Sequence, residues 1–455
     1  MLDDTIAAIA TPLGEGGLAV IRISGPQAFA VADKCFVPAG KKAHRPSRAN
    51  THTIQYGGIV RDGRQVDEAL VAVMRAPHTY TREDVVEISC HGGIVAAKAV
   101  LDTILKQGAR LARPGEFTKR AFLNGRLDLT QAEAVADVIY SRTELALRAA
   151  NEQLAGKLSR RINQLRDGLL GALAHIEAHL DFPDEDIAPD SHDELCERLG
   201  RGVEFIKQLL KTANEGQVLR RGVRVAIVGR PNAGKSSLLN ELLGRDRAIV
   251  SAIPGTTRDT IEETANVRGL PVVFIDTAGL RDSQDEIESE GVRRSRETLS
   301  RADLILHVVD GAEPLTPGTE KDLVDFSGKK RLLIQNKADL PARLNLPVCE
   351  RAPLKISCLT GQGIEELKDA IKDLVWAGEI KAEMLQVTIN SRHQEALNRA
   401  HESTIRALEA LRSGLTLELV ASDLRLAVNA VGEIVGKTAT EDLLDSIFST
   451  FCIGK

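Results

Sequence analysis

Aromatic residues are scarce in this 455-residue chain, at 3% of positions with a single Trp. So few rings exclude the broad stacking platforms that grip single-stranded RNA. Cysteine is sparse as well: Cys35, Cys90, Cys196, Cys349, Cys358 and Cys452 are scattered, with no C-x-x-C pair. That pattern excludes a disulfide framework or a zinc ribbon and points to a reducing compartment. No excess of positive charge is present either. A net charge of −5 and an isoelectric point near 6.1 exclude a globally basic nucleic-acid binder, so RNA would have to be met by a local basic patch. Apolar runs such as Val225–Val228 are far too short to cross a bilayer. The amino-terminal M-L-D-D-T lacks a basic leader and an apolar segment, from which we expect no targeting peptide and a cytoplasmic protein. What is present is ordinary for a globular chain, 43% hydrophobic and 27% charged. At roughly 150 residues per domain, the length suggests about three domains.

Proline is missing between Pro114 and Pro183, and helical periodicity fills the gap. Leu154, Leu158, Ile162, Leu165, Leu169, Leu173, Ile176 and Leu180 recur at steps of three and four, which predicts one long bundle helix ended by Phe182-Pro183-Asp184. Ahead of it, residues 1–120 mix β-branched runs (Leu18–Ile23, Leu70–Val73, Val85–Ile88) with glycine-rich turns, an α/β or α+β texture. From about Gly222 to Trp376 strands alternate with helices. Helical periodicity then returns, as in Leu415–Val435. Helical segments on both sides of an α/β unit predict that the α/β unit is an insertion.

The inserted part carries the chemistry. Val223–Val228 reads as a strand, followed directly by Gly229-Arg-Pro-Asn-Ala-Gly-Lys-Ser236 and a helical pattern over Ser237–Leu243. This is G-x-x-x-x-G-K-S in the setting it requires. Backbone N–H groups of Asn232, Ala233, Gly234, Lys235, Ser236 and Ser237 can curl around phosphates at a helix N-terminus. Lys235 adds a point charge, and the Ser236 hydroxyl is a ligand for Mg²⁺. A second strand, Leu270–Ile275, leads into Asp276, Thr277, Ala278 and Gly279, the D-x-x-G arrangement for water-bridged Mg²⁺ and a γ-phosphate contact. A third, Arg331–Gln335, leads into Asn336, Lys337, Ala338 and Asp339. The Asp339 carboxylate can accept both N1–H and N2–H of guanine, and adenine offers no such donor pair. Ser357, Cys358 and Leu359 follow another apolar strand and can supply a backbone contact to guanine O6. Four such elements in this order identify a GTPase domain.

Catalysis is less direct. The position after D-x-x-G, where small GTPases usually carry glutamine, is Leu280. Asp282, Asp285, Glu286, Glu288 or Glu290 could take its place. The segment Ser251, Ala252, Ile253, Pro254, Gly255, Thr256 and Thr257 supplies the first switch, with Thr257 for Mg²⁺. Cationic help in the transition state could come from Arg258 or Arg281, or from a monovalent ion held by Asn232.

These residues, with the terminal Cys452-Ile-Gly-Lys455, resemble the MnmE (also called TrmE) family of tRNA-modification GTPases. The resemblance covers essentially the whole chain: T-P-L-G-E-G-G-L-A-V-I-R-I-S-G near the start, R-P-G-E-F-T-K-R-A-F-L-N-G-R at 113–126, D-F-P-D-E at 181–185 and F-C-I-G-K at the end. It implies a homodimer whose GTPase domains meet across K⁺, ligated by Asn232, Ser251, Ile253 and Thr256. Ser251 stands where many members have threonine. Among the acidic candidates the resemblance points to Glu288 as the residue that orients water. It also implies an N-terminal dimerisation domain holding 5-formyl- or 5,10-methylene-tetrahydrofolate through Arg22, Glu87, Arg126 and Lys455. Arg126 replaces a lysine found in some members.

The fold implied is multidomain α/β: an N-terminal α/β folate-binding domain (1–119), a helical bundle domain (120–221 and 379–455) and a P-loop GTPase domain of Ras-like α/β type (222–378) inserted into the helical one. The reaction implied is shared with an FAD-dependent partner, MnmG, in a heterotetramer. Together they place a carboxymethylaminomethyl or aminomethyl group at C5 of the wobble uridine of certain tRNAs.

Other features carry less. Gly14-Glu-Gly16-Gly-Leu-Ala19 matches a dinucleotide pattern but precedes its strand. His175 and His179 share a helix face without a third metal ligand. His91-Gly92-Gly93 reads as a turn near the folate pocket in preference to a catalytic base, and Cys452 as either nucleophile or passive packing. A ribosome-assembly GTPase competes with this reading, but the chain has no KH-type module and no basic tail.

Overall fold

A computed structural model describes residues 3–181, 192–246, 262–275, 300–325, 330–346, 352–376 and 387–455. The chain divides into two units: Met1–Ala136, Ser159–Ala178 and Ala421–Lys455 in the first, Asp137–Leu158 and His179–Val420 in the second.

In the first unit, β1 (Ile6–Ile9), β2 (Gly16–Ser24), β3 (Phe36–Pro38), β4 (Thr53–Arg61), β5 (Arg64–Met74), β6 (Val85–Gly92) and β7 (Arg110–Leu111) form one sheet in the order β3-β4-β5-β6-β2-β1-β7. All pairs are antiparallel except β1 with β7. Period-two alternation sorts the faces: Ala69, Val71 and Val73 of β5 are buried, and Leu70 points the other way. The buried face packs with helices Ala28–Cys35 and Ile94–Lys106. Asp62 and Gly63, at φ +52° and +76°, make the tight turn between β4 and β5, because a two-residue type I′ turn needs both positive. The three runs expected as strands lie within β2, β5 and β6.

The helix Glu441–Ser449 packs on Leu129–Tyr140 through Leu129, Ala132, Leu444 and Phe448. This returns the tail to the sheet. Gly454, at φ +96°, sits so close to β1 that a Cβ would lie 2.4 Å from the Ile9 carbonyl oxygen. The leucine stripe differs from expectation in one respect. Leu158, Ile162, Leu165, Leu169, Leu173 and Ile176 do line the buried side of one helix, Lys157–Asp181. Leu154 instead closes the preceding helix, Glu144–Leu154, and Gly156 at φ +77° turns the chain between them. A left-handed glycine ends a helix without disturbing the spacing of leucines on either side.

In the second unit, β8 (Val223–Val228), β9 (Glu263–Val267), β10 (Leu270–Phe274), β11 (Leu304–Asp310), β12 (Arg331–Asn336) and β13 (Leu354–Lys355) run in the order β13-β12-β11-β8-β10-β9. All pairs are parallel except the β9–β10 hairpin. Strands covered on both faces read as unbroken apolar runs, and every residue of β11 from Leu304 to Val309 is buried. Strand order reverses beside β8, so a ligand crevice opens at the C-terminal end of that strand. Helix His192–Lys211, before the sheet in sequence, packs along Ser391–Arg412, after it. The two helical stretches thus pair around the inserted α/β part, as expected. The single Trp, Trp376, is buried with Ala149, Leu219 and Leu270. Among the described residues, no helix is long and apolar enough to cross a membrane.

Candidate functional site

The loop after β8 is shaped by close approach. Gly229, at φ +146°, leaves no room for a side chain: a Cβ would lie 2.1 Å from the Val308 carbonyl oxygen of β11. Asn232 takes a left-handed φ of +63°, which asparagine tolerates better than most residues. Gly234 (φ +96°) faces the Asn336 amide, whose nitrogen would lie 2.1 Å from an added Cβ. Helix Lys235–Asp246 then starts, two residues before the expected Ser237, with its first turn pointing N–H groups back into the loop. Lys235 donates to the Arg230 carbonyl at 2.9 Å, and burial pushes its ammonium below the ordinary lysine value. A phosphate in this cradle would offset that desolvation.

Asn336 ties this loop to the neighbouring ones. Its Nδ2 donates to the Ala233 carbonyl (2.9 Å), and its Oδ1 accepts the Cys358 backbone N–H (3.2 Å). Lys337, with φ +65°, pairs with Asp310 at the end of β11. The Ala338 N–H donates to the Ile356 carbonyl at 2.9 Å. Asp339 accepts a hydrogen bond from the buried Ser357 hydroxyl, so one carboxylate oxygen is held and the group is aimed. Burial pushes the Cys358 thiol up to about 11, with the Glu241 charge adding to it, which leaves its backbone as the useful part. Leu359 is 85% exposed at the rim. The structure therefore brings Asn232–Ser237, Asn336–Asp339 and Ser357–Leu359 to one end of one sheet. Ser251–Thr257, Asp276–Gly279 and Glu288 lie outside the described residues.

A second cluster lies in the first unit. Arg22 of β2 and Glu87 of β6 are cross-strand neighbours, and Arg22 Nε donates to Glu87 Oε1 at 2.8 Å. Arg22 Nη1 also reaches the Gly454 carbonyl at 3.4 Å. The Phe117 N–H donates to the Lys455 carbonyl at 3.2 Å. Burial and the Arg22 charge hold the Lys455 ammonium below its ordinary value. Arg126 lies over the Tyr80 ring at 4.7 Å, and Arg22 lies 5.6 Å from both the Tyr80 and Phe117 rings. Tyr80 and Phe117 were not among the residues expected here. A signal existed, since Tyr80 is one of only three tyrosines in the chain. His91 departs from its expected turn: it lies within β6, and its Nδ1 pairs with Asp67 at 2.6 Å. The pairing of β6 with β2 carries the strand through to Gly92.

The glycine-bearing loop after β8, the Asn336–Asp339 loop after β12 and the Asn336 side chain that straps them together are the arrangement of a P-loop GTPase. Two family models cover nearly all of the chain around it: the GTP-binding protein TrmE N-terminus matches residues 5–126, and the MnmE helical domain matches 129–452. The tRNA modification GTPase MnmE of Geobacillus kaustophilus is 48% identical over 99% of both chains. Those of Thermoanaerobacter pseudethanolicus and Clostridioides difficile are 45% and 46% identical over the full length of each. Among solved structures, the G domain of the T. maritima FeoB iron transporter matches 33% of this chain and 98% of its own at 25% identity, with a TM-score of 0.24 too low to bear on the assignment. The chain belongs to the MnmE family of tRNA modification GTPases, and it is a GTP hydrolase.

Proposed function

We propose that this chain works with the FAD-dependent protein MnmG, as a heterotetramer built on its own homodimer, in the cytoplasm. The pair places a carboxymethylaminomethyl or aminomethyl group at C5 of the wobble uridine of certain tRNAs. The observation that carries the reading is that a second, cationic pocket, Arg22 and Arg126 with Glu87, is closed by the chain's own tail. Its chemistry fits a tetrahydrofolate, which offers carboxylates and a pterin amide. When bound, that group supplies the one-carbon unit, and Arg22, Glu87, Arg126 and Lys455 would hold and orient it. Homodimerisation is supported by the open face of the first sheet, where Leu18, Ile54, Tyr56 and Leu70 are 45–67% exposed. An apolar strip of that kind is suited to a second copy. The division into 1–119, 120–221, 222–378 and 379–455 belongs to the same proposal.

In the GTPase domain, Lys235 fits a triphosphate, whose charge would offset the burial of its ammonium, and Gly234 lets the Asn336 amide close on the loop that would hold it. Ser236 and Thr257 would hold Mg²⁺, and Asn232, Ser251, Ile253 and Thr256 would hold K⁺ where two GTPase domains meet. Glu288 would orient the attacking water, a task Leu280 cannot perform. Glu288→Ala is expected to leave GTP affinity near normal and to remove most of the K⁺-stimulated turnover. Steady-state phosphate release in K⁺ and in Na⁺ measures this, and full turnover in the variant would shift the role to a neighbouring carboxylate.

Nucleoside mass spectrometry of bulk tRNA from cells with and without the gene tests the whole reading. Loss of the C5-modified wobble uridines is expected. Unchanged nucleosides would remove the assigned reaction and leave the GTPase.

A further inference from the structure

Two guanidinium groups meet one ring in the first unit although like charges repel, and among the described residues the carboxylate paired with either of them is Glu87, on Arg22. The Tyr80 ring accounts for the arrangement. It lies under both cations, 5.6 Å from Arg22 and 4.7 Å from Arg126. Arg126 Nη1 also donates to the Tyr80 carbonyl at 3.1 Å, which fixes its side chain at both ends of the residue. The ring cannot turn away, because its hydroxyl shares a 2.9 Å hydrogen bond with the Thr118 hydroxyl. Nor can its loop drift. The buried Thr81 hydroxyl pairs with that of Ser24 at 2.7 Å, and the Asn124 amide donates to the Thr81 carbonyl at 2.7 Å. An aromatic face attracts cations through its quadrupole, and more strongly where water is partly excluded, as around this largely buried ring.

We propose that Tyr80 is the positioning residue of this pocket: its ring face presets the Arg22 and Arg126 guanidinium groups for the carboxylate and carbonyl oxygens of a reduced folate. The inference rests on the folate reading above. Without the ring, two long cationic side chains would separate into solvent, and the ligand would have to gather them again on binding.

The test is calorimetric titration of the full-length protein with 5-formyl-tetrahydrofolate. Tyr80→Phe is expected to bind within about threefold of the parent, and Tyr80→Leu about tenfold more weakly. Phenylalanine analogues carrying successive ring fluorines, installed at position 80, should weaken binding stepwise, since fluorine drains the quadrupole while nearly preserving shape. GTP affinity and the thermal transition should stay constant across that series. A flat response to fluorination, with the parent binding folate and Arg22→Ala losing it, overturns the role of Tyr80 alone. No saturable binding by the parent, with Arg22→Ala no different, removes the folate reading and the Tyr80 inference together.

Discussion

Asp339→Asn is expected to weaken GTP binding by about 10³-fold or more and to create affinity for xanthosine triphosphate. Guanine presents two donors, N1–H and N2–H, to a carboxylate. An asparagine amide meets one of them with its own donor and leaves that pair unsatisfied. Xanthine carries a carbonyl in place of the 2-amino group, so it accepts where guanine donates, and the amide matches it. The protein scaffold tolerates the exchange. Ser357 donates to Asp339 Oδ1, and an asparagine carbonyl can accept the same bond. The loop is held independently by Asn336, which bridges Ala233 and Cys358. Competition of GTP and XTP against a fluorescent guanine nucleotide measures the switch. A variant that still preferred GTP would show that the base is read elsewhere.

Arg120→Met should cost about 3–5 kcal/mol of stability at neutral pH, because it removes a fully buried cation from the cluster of Asp4, Glu83 and Glu116, and Arg110 still pairs only with Asp4 and Glu116. The Arg120 side chain is fully buried and meets Asp4 at 2.7 Å, Glu116 at 3.2 Å and Glu83 at 3.2 Å. Burial pushes the Asp4 and Glu116 carboxyls up, but hydrogen bonds and charge from Arg110 and Arg120 outweigh it, and both end below their ordinary values of 3.8 and 4.5. A carboxyl lowered in the folded state binds fewer protons there than in the unfolded chain. Its stabilisation is therefore complete above the ordinary value and is lost as pH falls through the folded one. Glu116, with 10% of its side chain exposed, carries more of this than Asp4 at 45%, where solvent screens the pair. The deficit of Arg120→Met should accordingly shrink between pH 7 and pH 4. Urea unfolding at the two pH values measures it, and a deficit independent of pH would assign the cost to packing instead of charge.

These two sites differ in how far they could be read from sequence. The loops after β8 and β12 are local: a mostly apolar strand, a few residues of turn and, after β8, the start of a helix. β8 spans Val223–Val228 as its run of apolar residues suggests. β12 extends only one residue past the expected Arg331–Gln335, because Asn336 still pairs opposite Asp310. Arg120 left no such trace. It lies in the motif at 113–126 with no role assigned to it, and its ion pair with Asp4 spans 116 residues. The break at Gly156 was hidden for the opposite reason: leucines on both sides keep the same spacing, and only the backbone φ separates two helices.

The sequence alone therefore determined the GTPase class and the insertion of that domain between helical segments, since each depends on residue type and spacing along the chain. Tertiary structure decided what those residues touch. Asn336 becomes a strap because parallel pairing aligns the ends of β8, β11 and β12. Arg22 meets Gly454 across 432 residues of chain, and Tyr80 comes to lie beneath two cations. Such contacts are set by where sheet and tail converge in space, and no local pattern of residues encodes that convergence.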